Sequence, residues 1–333
     1  MKKFILATSI AAVCASPMAA TAGNTVYGTL SYSVNSVDQD TAGGQDGLSG
    51  EDNVSLLGVK GSFGDSIKAF YHLQTGAPSD ADGSGRAFRQ RFYFGGLSGS
   101  FGKVAYGRMT NAYKFPGFAM DPFYNLSHVN AGGSVAFGGA TYGLSPATNG
   151  FTDNALQYTS PALGGSFTVN AGVYIDDSNE DEHGYNFGGQ WKADNFNVGV
   201  QFASNGDVGT VPNVVADGDA VRVYGGYKGD SWSVGLSYES VDLSASVEDV
   251  GYLYLVGRYK VTSTTEVIGS IGSVDDGPAE GTGFMGGVFH TITDNTQIYV
   301  TYSAASIEPS GGTDKDPSVF AIGAKHKFKF GGS

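Results

Sequence analysis

The sequence predicts an all-β fold, a 16-stranded antiparallel transmembrane β-barrel, and three observations lead there. Apolar and small polar residues alternate with a period of two in segment after segment. In "DSWSVGLSYES", 230–240, Trp232, Val234, Leu236 and Tyr238 share one side of an extended chain, and Ser231, Ser233, Gly235, Ser237 and Glu239 share the other. The segments come to an even number. Their connections alternate short and long along the whole chain, which puts every tight turn at one end of a barrel and every large loop at the other.

From the N-terminus, "MKK", the apolar run "FILATSIAAV" and "SPMAATA" read as a secretory signal peptide over 1–22, with small residues at Ala20 and Ala22 before the cut. The run is about half of the roughly 20 apolar residues that a helical span needs. Residues 23–333 read as one barrel domain, since no linker or composition shift divides them. Strands are expected at 24–34, 51–62, 65–75, 86–96, 101–108, 152–160, 165–175 and 183–192. The second half supplies 195–205, 218–228, 231–241, 249–260, 264–273, 282–291, 295–306 and 317–330. Short connections such as "FGDS", "SGS", "ADN", "KGD" and "TDN" carry turn residues. Long ones are 35–50, 76–85, 109–151, 176–182, 206–217, 274–281 and 307–316, with a shorter member near 242–248. The longest, 109–151, exceeds what a compact domain holds without structure of its own.

So wide a barrel cannot be filled by side chains, so its small polar face is expected to meet water and its apolar face lipid. Phe196, Val198, Val200 and Phe202 should look outward, and Asn197, Gly199 and Gln201 inward. Closure pairs every backbone donor within the bilayer. With 19 Tyr and 21 Phe, the chain has aromatics enough for girdles at both membrane interfaces.

The single cysteine, Cys14, falls in the proposed signal, and Val13 and Ala11 suit it poorly to lipidation. Disulfides are therefore not expected. A net charge of −13, more negative once Lys2 and Lys3 leave with the signal, argues against nucleic acid as a partner. His72, His128, His183, His290 and His326 are scattered, with no nucleophile or metal-ligand spacing, so neither catalysis nor a cofactor is expected. The run "DDSNEDE" at 176–182 reads as a solvated loop in preference to a divalent-cation site. By parity Arg89, Arg91 and Tyr93 oppose Phe88, Phe92 and Phe94 and face the lumen, and Tyr27, Tyr174, Tyr224, Tyr252 and Tyr254 are inward candidates. Arg108 shares parity with Val104 and Tyr106, so it reaches the lumen only if the strand bulges or ends near Gly107.

Several stretches resemble the general, non-specific porins of Gram-negative outer membranes. "TVYGTLSY" at 25–32 is similar to that family's first strand, and "LLGVKGSFGDSIKAFYHLQTG" at 56–76 to its second hairpin. "RQRFYFGGLSGSFGKVAYGR" at 89–108, "DNALQYTSPALGG" at 153–165 and the ending "FAIGAKHKF" at 320–328 match in turn. The resemblance implies a homotrimer in outer-membrane lipid and lipopolysaccharide, with the third long loop, 109–151, folded inward as the constriction. It implies passive diffusion of small hydrophilic solutes and ions, the alternative being a channel selective for a sugar or an anion.

The constriction would then be formed by Arg89, Arg91, Arg108, Tyr93 and Asp121, the last being the only carboxylate of the inserted loop. Leu56 and Phe151 stand where many members carry further wall arginines, and Ala136 and Ala140 in "VAFGGA" where enteric members place acids. Acidic loops against these arginines suggest a modest cation preference at low salt that fades or reverses at high salt. The family ends on the aromatic residue matched by Phe328, whereas this chain continues "KFGGS", so that Phe330 is an alternative terminal signal for assembly.

Overall fold

A computed structural model describes residues 23–41, 46–77, 88–175, 183–205, 218–242, 249–277, 279–310 and 312–331. The proposed signal peptide and the acidic run 176–182 lie outside them. The first half comprises β1 (Thr25–Asp38), β2 (Gly47–Asp52), β3 (Leu56–Phe63), β4 (Lys68–Gly76), β5 (Arg89–Gly99) and β6 (Gly102–Met109). Helix α1 (Lys114–Met120), the hairpin β7 (Ser127–Val129) and β8 (Val135–Phe137), and a 3-10 turn Pro146–Thr148 follow. Next come β9 (Thr152–Thr159), β10 (Phe167–Tyr174), β11 (Gly184–Ala193), β12 (Phe196–Ser204), β13 (Asp219–Lys228) and β14 (Trp232–Val241). β15 (Val250–Lys260), β16 (Thr265–Asp275), β17 (Ala279–Thr293), β18 (Thr296–Pro309) and β19 (Ser318–Gly331) complete the chain.

Strands neighbouring in the wall pair antiparallel, and β1 meets β19 from Thr25 opposite Gly331 to Asp38 opposite Ser318, which closes the sheet. β6 pairs with β9, so the wall passes over the segment between them. β2 and β3 both lie along β1 as halves of one stave, parted at Val54, whose φ is 64°. Counting them once, the described residues form a closed barrel of 16 antiparallel strands.

The two faces divide as the alternation requires. Trp232, Val234, Leu236 and Tyr238 are exposed while Ser237 and Glu239 are buried, and Phe196, Val198 and Val200 are exposed while Gln201 is buried. Apolar side chains this numerous and uncovered are stable only against lipid. Aromatic pairs band the outer wall near both rims: Trp191 with Phe196 (5.9 Å) and Tyr227 with Trp232 (5.2 Å) at the turn end, Tyr185 with Phe202 (6.0 Å) and Phe284 with Tyr302 (5.8 Å) toward the loop end.

At the loop end the strands outrun the sequence expectation. β1 continues to Asp38, and the connection expected over 274–281 shrinks to 276–278, with Asp276 at φ 59° in the turn. Ladder pairing satisfies the backbone as well beyond the bilayer as within it, so polar staves extend past the apolar band.

β19 ends on three closing pairs, Lys329 with Tyr27, Phe330 with Val26 and Gly331 with Thr25, and the Phe328 ring covers Gly28, where an added Cβ would lie 2.2 Å from it. Phe330 packs beside Phe328, their centroids 5.9 Å apart. Truncation after Phe328 removes those three pairs, so the folded band on a gel should be lost at a lower temperature than for the full chain. An unchanged transition would mean that closure is complete at Phe328.

Candidate functional site

The segment 110–151 lies inside the barrel. Tyr113, Phe123, Leu126, Val129 and Leu144 are buried, and Phe123 packs on Phe289 of β17 (5.9 Å). At one point two backbones touch: a Cβ on Gly143 would sit 2.5 Å from the Gly272 Cα, and one on Gly272 would sit 2.5 Å from the Gly143 Cα. Gly143 has φ 91°, so only glycine suits both its conformation and its approach to β16.

Polar tethers fix the segment around the wall. Arg222 of β13 and Glu239 of β14 stand directly opposite in register and pair at 2.7 Å, both fully buried. Tyr113 donates its hydroxyl to Glu239 Oε2 (3.0 Å), the Ser145 amide donates to Oε1 (3.0 Å), and the Ser145 hydroxyl donates to the same carboxylate. Arg222 donates to the Tyr113 carbonyl (2.6 Å) and the Thr148 hydroxyl, and stacks over the Tyr113 ring at 4.7 Å. Across the lumen, Asn53 at the break in the second stave donates to Ser33 Oγ (2.8 Å) and Tyr299 Oη (2.9 Å), and accepts from Ser127 Oγ (3.3 Å). The Val129 amide donates to Ser303 Oγ at 3.1 Å. Sequence reasoning missed Arg222 and Glu239, although folding the hairpin about "KGD" would have set them opposite as a cross-strand pair of unlike charge.

Asp121 does not stand open in the pore. Its carboxylate accepts from the amides of Phe123 (2.9 Å) and Thr141 (3.0 Å) and from the hydroxyls of Thr141 (2.9 Å) and Tyr254 (3.1 Å). Burial pushes its carboxyl above the usual range, with these donors opposing the shift. Its role is to close the loop and tie it to β15. His128 spans the Leu126 and Ala140 carbonyl oxygens with its two ring nitrogens, at 2.7 and 2.8 Å, and holds the same turn.

The basic residues gather on the opposite side. Between β4 and β5 the register slips, with Gln74 opposite Phe92 but Thr75 opposite Gln90. Arg91 is the extra residue of that bulge, and it donates from Nε to Gln74 Oε1 at 2.8 Å. A Cβ on Gly76 would lie 3.4 Å from Arg89 Cβ and 3.8 Å from Arg91 Cδ, so the two arginines share a face. A second slip, at Gly107 (φ 130°), turns Arg108 inward, where it pairs with Asp153 at 2.6 Å. The Phe151 ring sits among three cations: Arg91 at 4.9 Å, Arg108 at 5.3 Å and the Lys114 ammonium at 5.0 Å from its centroid. Such contacts hold guanidinium and ammonium groups without neutralising them. Lys114, unremarked in the sequence, donates to the Gly150 carbonyl at 2.9 Å, and burial together with Arg91 lowers its pKa to about 7.

Tyr93 is a correction. The bulge at Arg91 inverts the alternation beyond it, so Phe92 and Phe94 face the lumen against His72 (4.8 and 5.3 Å). Tyr93 stands opposite Leu73 among the exposed residues of the outer face, 43% accessible. Of the inward candidates, Tyr174, Tyr224, Tyr252 and Tyr254 are buried within the barrel. Below α1, toward the turns, a cavity of 1130 Å³ is lined by Gln157, Asn170, Gln190, Asn197 and Lys103 together with apolar residues such as Phe94 and Phe115.

The sequence profile described as Gram-negative porin matches residues 7–308. An outer membrane porin protein of Bordetella pertussis is 28% identical over 218 residues, 59% of this chain and 54% of that one. The major outer membrane protein P.IB of Neisseria meningitidis serogroup A is 27% identical over 319 residues, 91% of this chain and 88% of that one. Among solved structures, the anion-selective porin from Comamonas acidovorans superposes with a TM-score of 0.75 at 17% identity, over 92% of this chain and 99% of that one.

Replacing Glu239 by alanine strands a buried guanidinium, a change that costs about 3–5 kcal/mol in other proteins. The expected result is a loosened inner segment, read in a planar bilayer as larger and noisier single-channel currents; quiet currents of unchanged size would refute the tether. Lys114 is charged below its pKa and neutral above it, so anion permeability should fall as pH rises from about 6 to about 8, and Lys114→Gln should flatten that profile. A slope that persists in the variant would assign it to another group.

Proposed function

The chain belongs to the Gram-negative porin family, and we propose that it serves as an outer-membrane diffusion channel whose constriction favours anions. The observation that carries this preference is the convergence of Arg91, Arg108 and Lys114 on Phe151 with Asp153 as the one carboxylate paired to them among the described residues. The expectation of a cation preference at low salt rested on the acidic loops at the mouth, with Asp121 the one charge set against the arginines of the constriction. With that carboxylate consumed by three hydrogen bonds from the segment and one from Tyr254 of β15, the balance moves toward cationic control. Fixed charge acts most strongly where a pore is narrow and poorly screened. Arg89, Arg91 and Arg108 are the proposed selectivity residues, Asp121 is assigned to loop closure, and Tyr93 to the lipid face.

Solutes would pass between the inner segment and the β4 to β6 wall, through a gap that sets size and charge but binds nothing tightly. The exposed apolar outer wall is suited to lipid and, on the side turned toward other copies, to the homotrimer that the family resemblance implies. Lipopolysaccharide would meet the acidic loop end.

Reversal potentials across a KCl gradient test the preference. Wild type is expected to favour chloride, and the double variant Arg91→Ala with Arg108→Ala to shift several-fold toward potassium while conducting more. A ratio that does not move would mean these arginines stand away from the narrow part of the channel.

A further inference from the structure

Helix α1, "KFPGFAM", presents to the pore the face that a helix normally hides. An ordinary amphipathic helix buries its apolar stripe and turns charge to water. Here Lys114, Pro116 and Gly117 are buried, and the exposed positions are Phe115 (59% accessible), Phe118 (41%) and Ala119, which share one face by their i, i+3, i+4 spacing. Gly117 sets this orientation. A Cβ there would lie 2.8 Å from Arg222 Nη1, so the buried face is pressed on β13 and the stripe looks away from that wall. Lipid does not reach a helix enclosed by the barrel, so both rings meet the water of the pore. Single exposed aromatics are ordinary, but these form a patch: the Phe115 and Phe118 centroids are 6.4 Å apart, and Phe118 meets the Tyr124 ring edge-on at 4.8 Å.

The patch is continuous with the cations of the constriction. The Lys114 ammonium lies 5.4 Å from the Tyr124 centroid and 5.0 Å from that of Phe151, the ring that Arg91 and Arg108 share. Among the described residues Arg91 donates only from Nε, to Gln74, which leaves its Nη groups for an oxyanion. Phe115 and Ala119 also border the turn-end cavity, whose charged residues are Lys103, Lys228, Arg258 and Lys260 against Asp230 and Glu266. We propose that the α1 stripe and the constriction cations together form a weak transit site for aromatic carboxylates. The inference rests on the anion-favouring reading above and names the solute class that such a pore serves best. The carboxylate engages Arg91 and Lys114 while its ring lies offset or edge-on against Phe115 and Phe118. A neutral sugar gains from the rings alone and an inorganic anion from the cations alone, whereas an aromatic carboxylate gains from both. The contact stays weak, because a solute held tightly does not leave the channel.

The test is block of single-channel current in a planar bilayer, with 3-phenylpropionate added as its potassium salt to symmetric KCl. Propionate carries the same charge without the ring, phenethylammonium the ring on a cation, and maltose neither ring nor charge. Wild type should show saturable, millimolar block by 3-phenylpropionate, with a half-blocking concentration about fivefold or more below that of propionate, the advantage that aromatic contact gives. The double variant Phe115→Ser with Phe118→Ser should raise that concentration toward the propionate value and leave block by propionate itself where it was. Equal potency of 3-phenylpropionate and propionate in wild type, the result expected if another segment of the chain covers the two rings, would overturn the proposal. So would block by phenethylammonium as strong as that by 3-phenylpropionate, or block by maltose at the same concentrations, which would assign the rings to sugars. If the variant fails to assemble, the four solutes on wild type decide by themselves. These outcomes are separate from the reversal potential, and a pore that favours potassium and is blocked by neither carboxylate would overturn the anion-favouring reading together with the site.

Discussion

A backbone amide in the hydrocarbon layer of a membrane has no water to bond, and that constraint shapes everything else in this protein. The ladder must be complete, so the sheet must close, and β1 meets β19 over the full length of both strands. Closing this many strands leaves a hole wider than side chains can span. Trp232, Leu236 and their equivalents then have only lipid to face, and Ser237, Gln201 and Tyr254 turn to the interior. A long segment is needed to narrow the hole, and it in turn needs wall groups that hold it in place.

The Arg222 and Glu239 pair shows how that holding is done. Removing two ions from water is costly, and the attraction between them returns that cost only when their remaining hydrogen-bonding capacity is also used. Here it is: the carboxylate accepts from Tyr113 and Ser145, and the guanidinium donates to the Tyr113 carbonyl and to Thr148. Because the partners come from two ends of the inner segment, the pair specifies one placement of that segment and penalises others. Asp121 does the same locally, with its donors drawn from the segment and from Tyr254. These carboxylates are spent on architecture. What remains beside the Phe151 ring is cationic, Arg91, Arg108 and Lys114, with Asp153 paired to one of them.

Much of this was legible in the residues. The period of two, the parity of turns and loops, and the length of 109–151 are local properties, and they determine the strand count, the lipid face and the existence of an insert, because ladder pairing reads only sequence neighbours across tight turns. Arg108 was legible as a condition, since Gly107 marks a place where a strand can bulge, and the slip is there. Tertiary structure alone decided the rest. Whether Tyr93 or Phe92 enters the lumen hangs on one unpaired residue, Arg91, and that residue is unpaired because its partner strand places Gln74 and Thr75 as it does. Whether Asp121 is a pore charge or a buried anchor depends on Tyr254, 133 positions away, arriving within hydrogen-bond reach. A side chain's face is set by its neighbours in sequence, but its solvation and its charge are set by whatever the closed barrel brings across the lumen, and distance in space is the one quantity that a linear pattern does not carry.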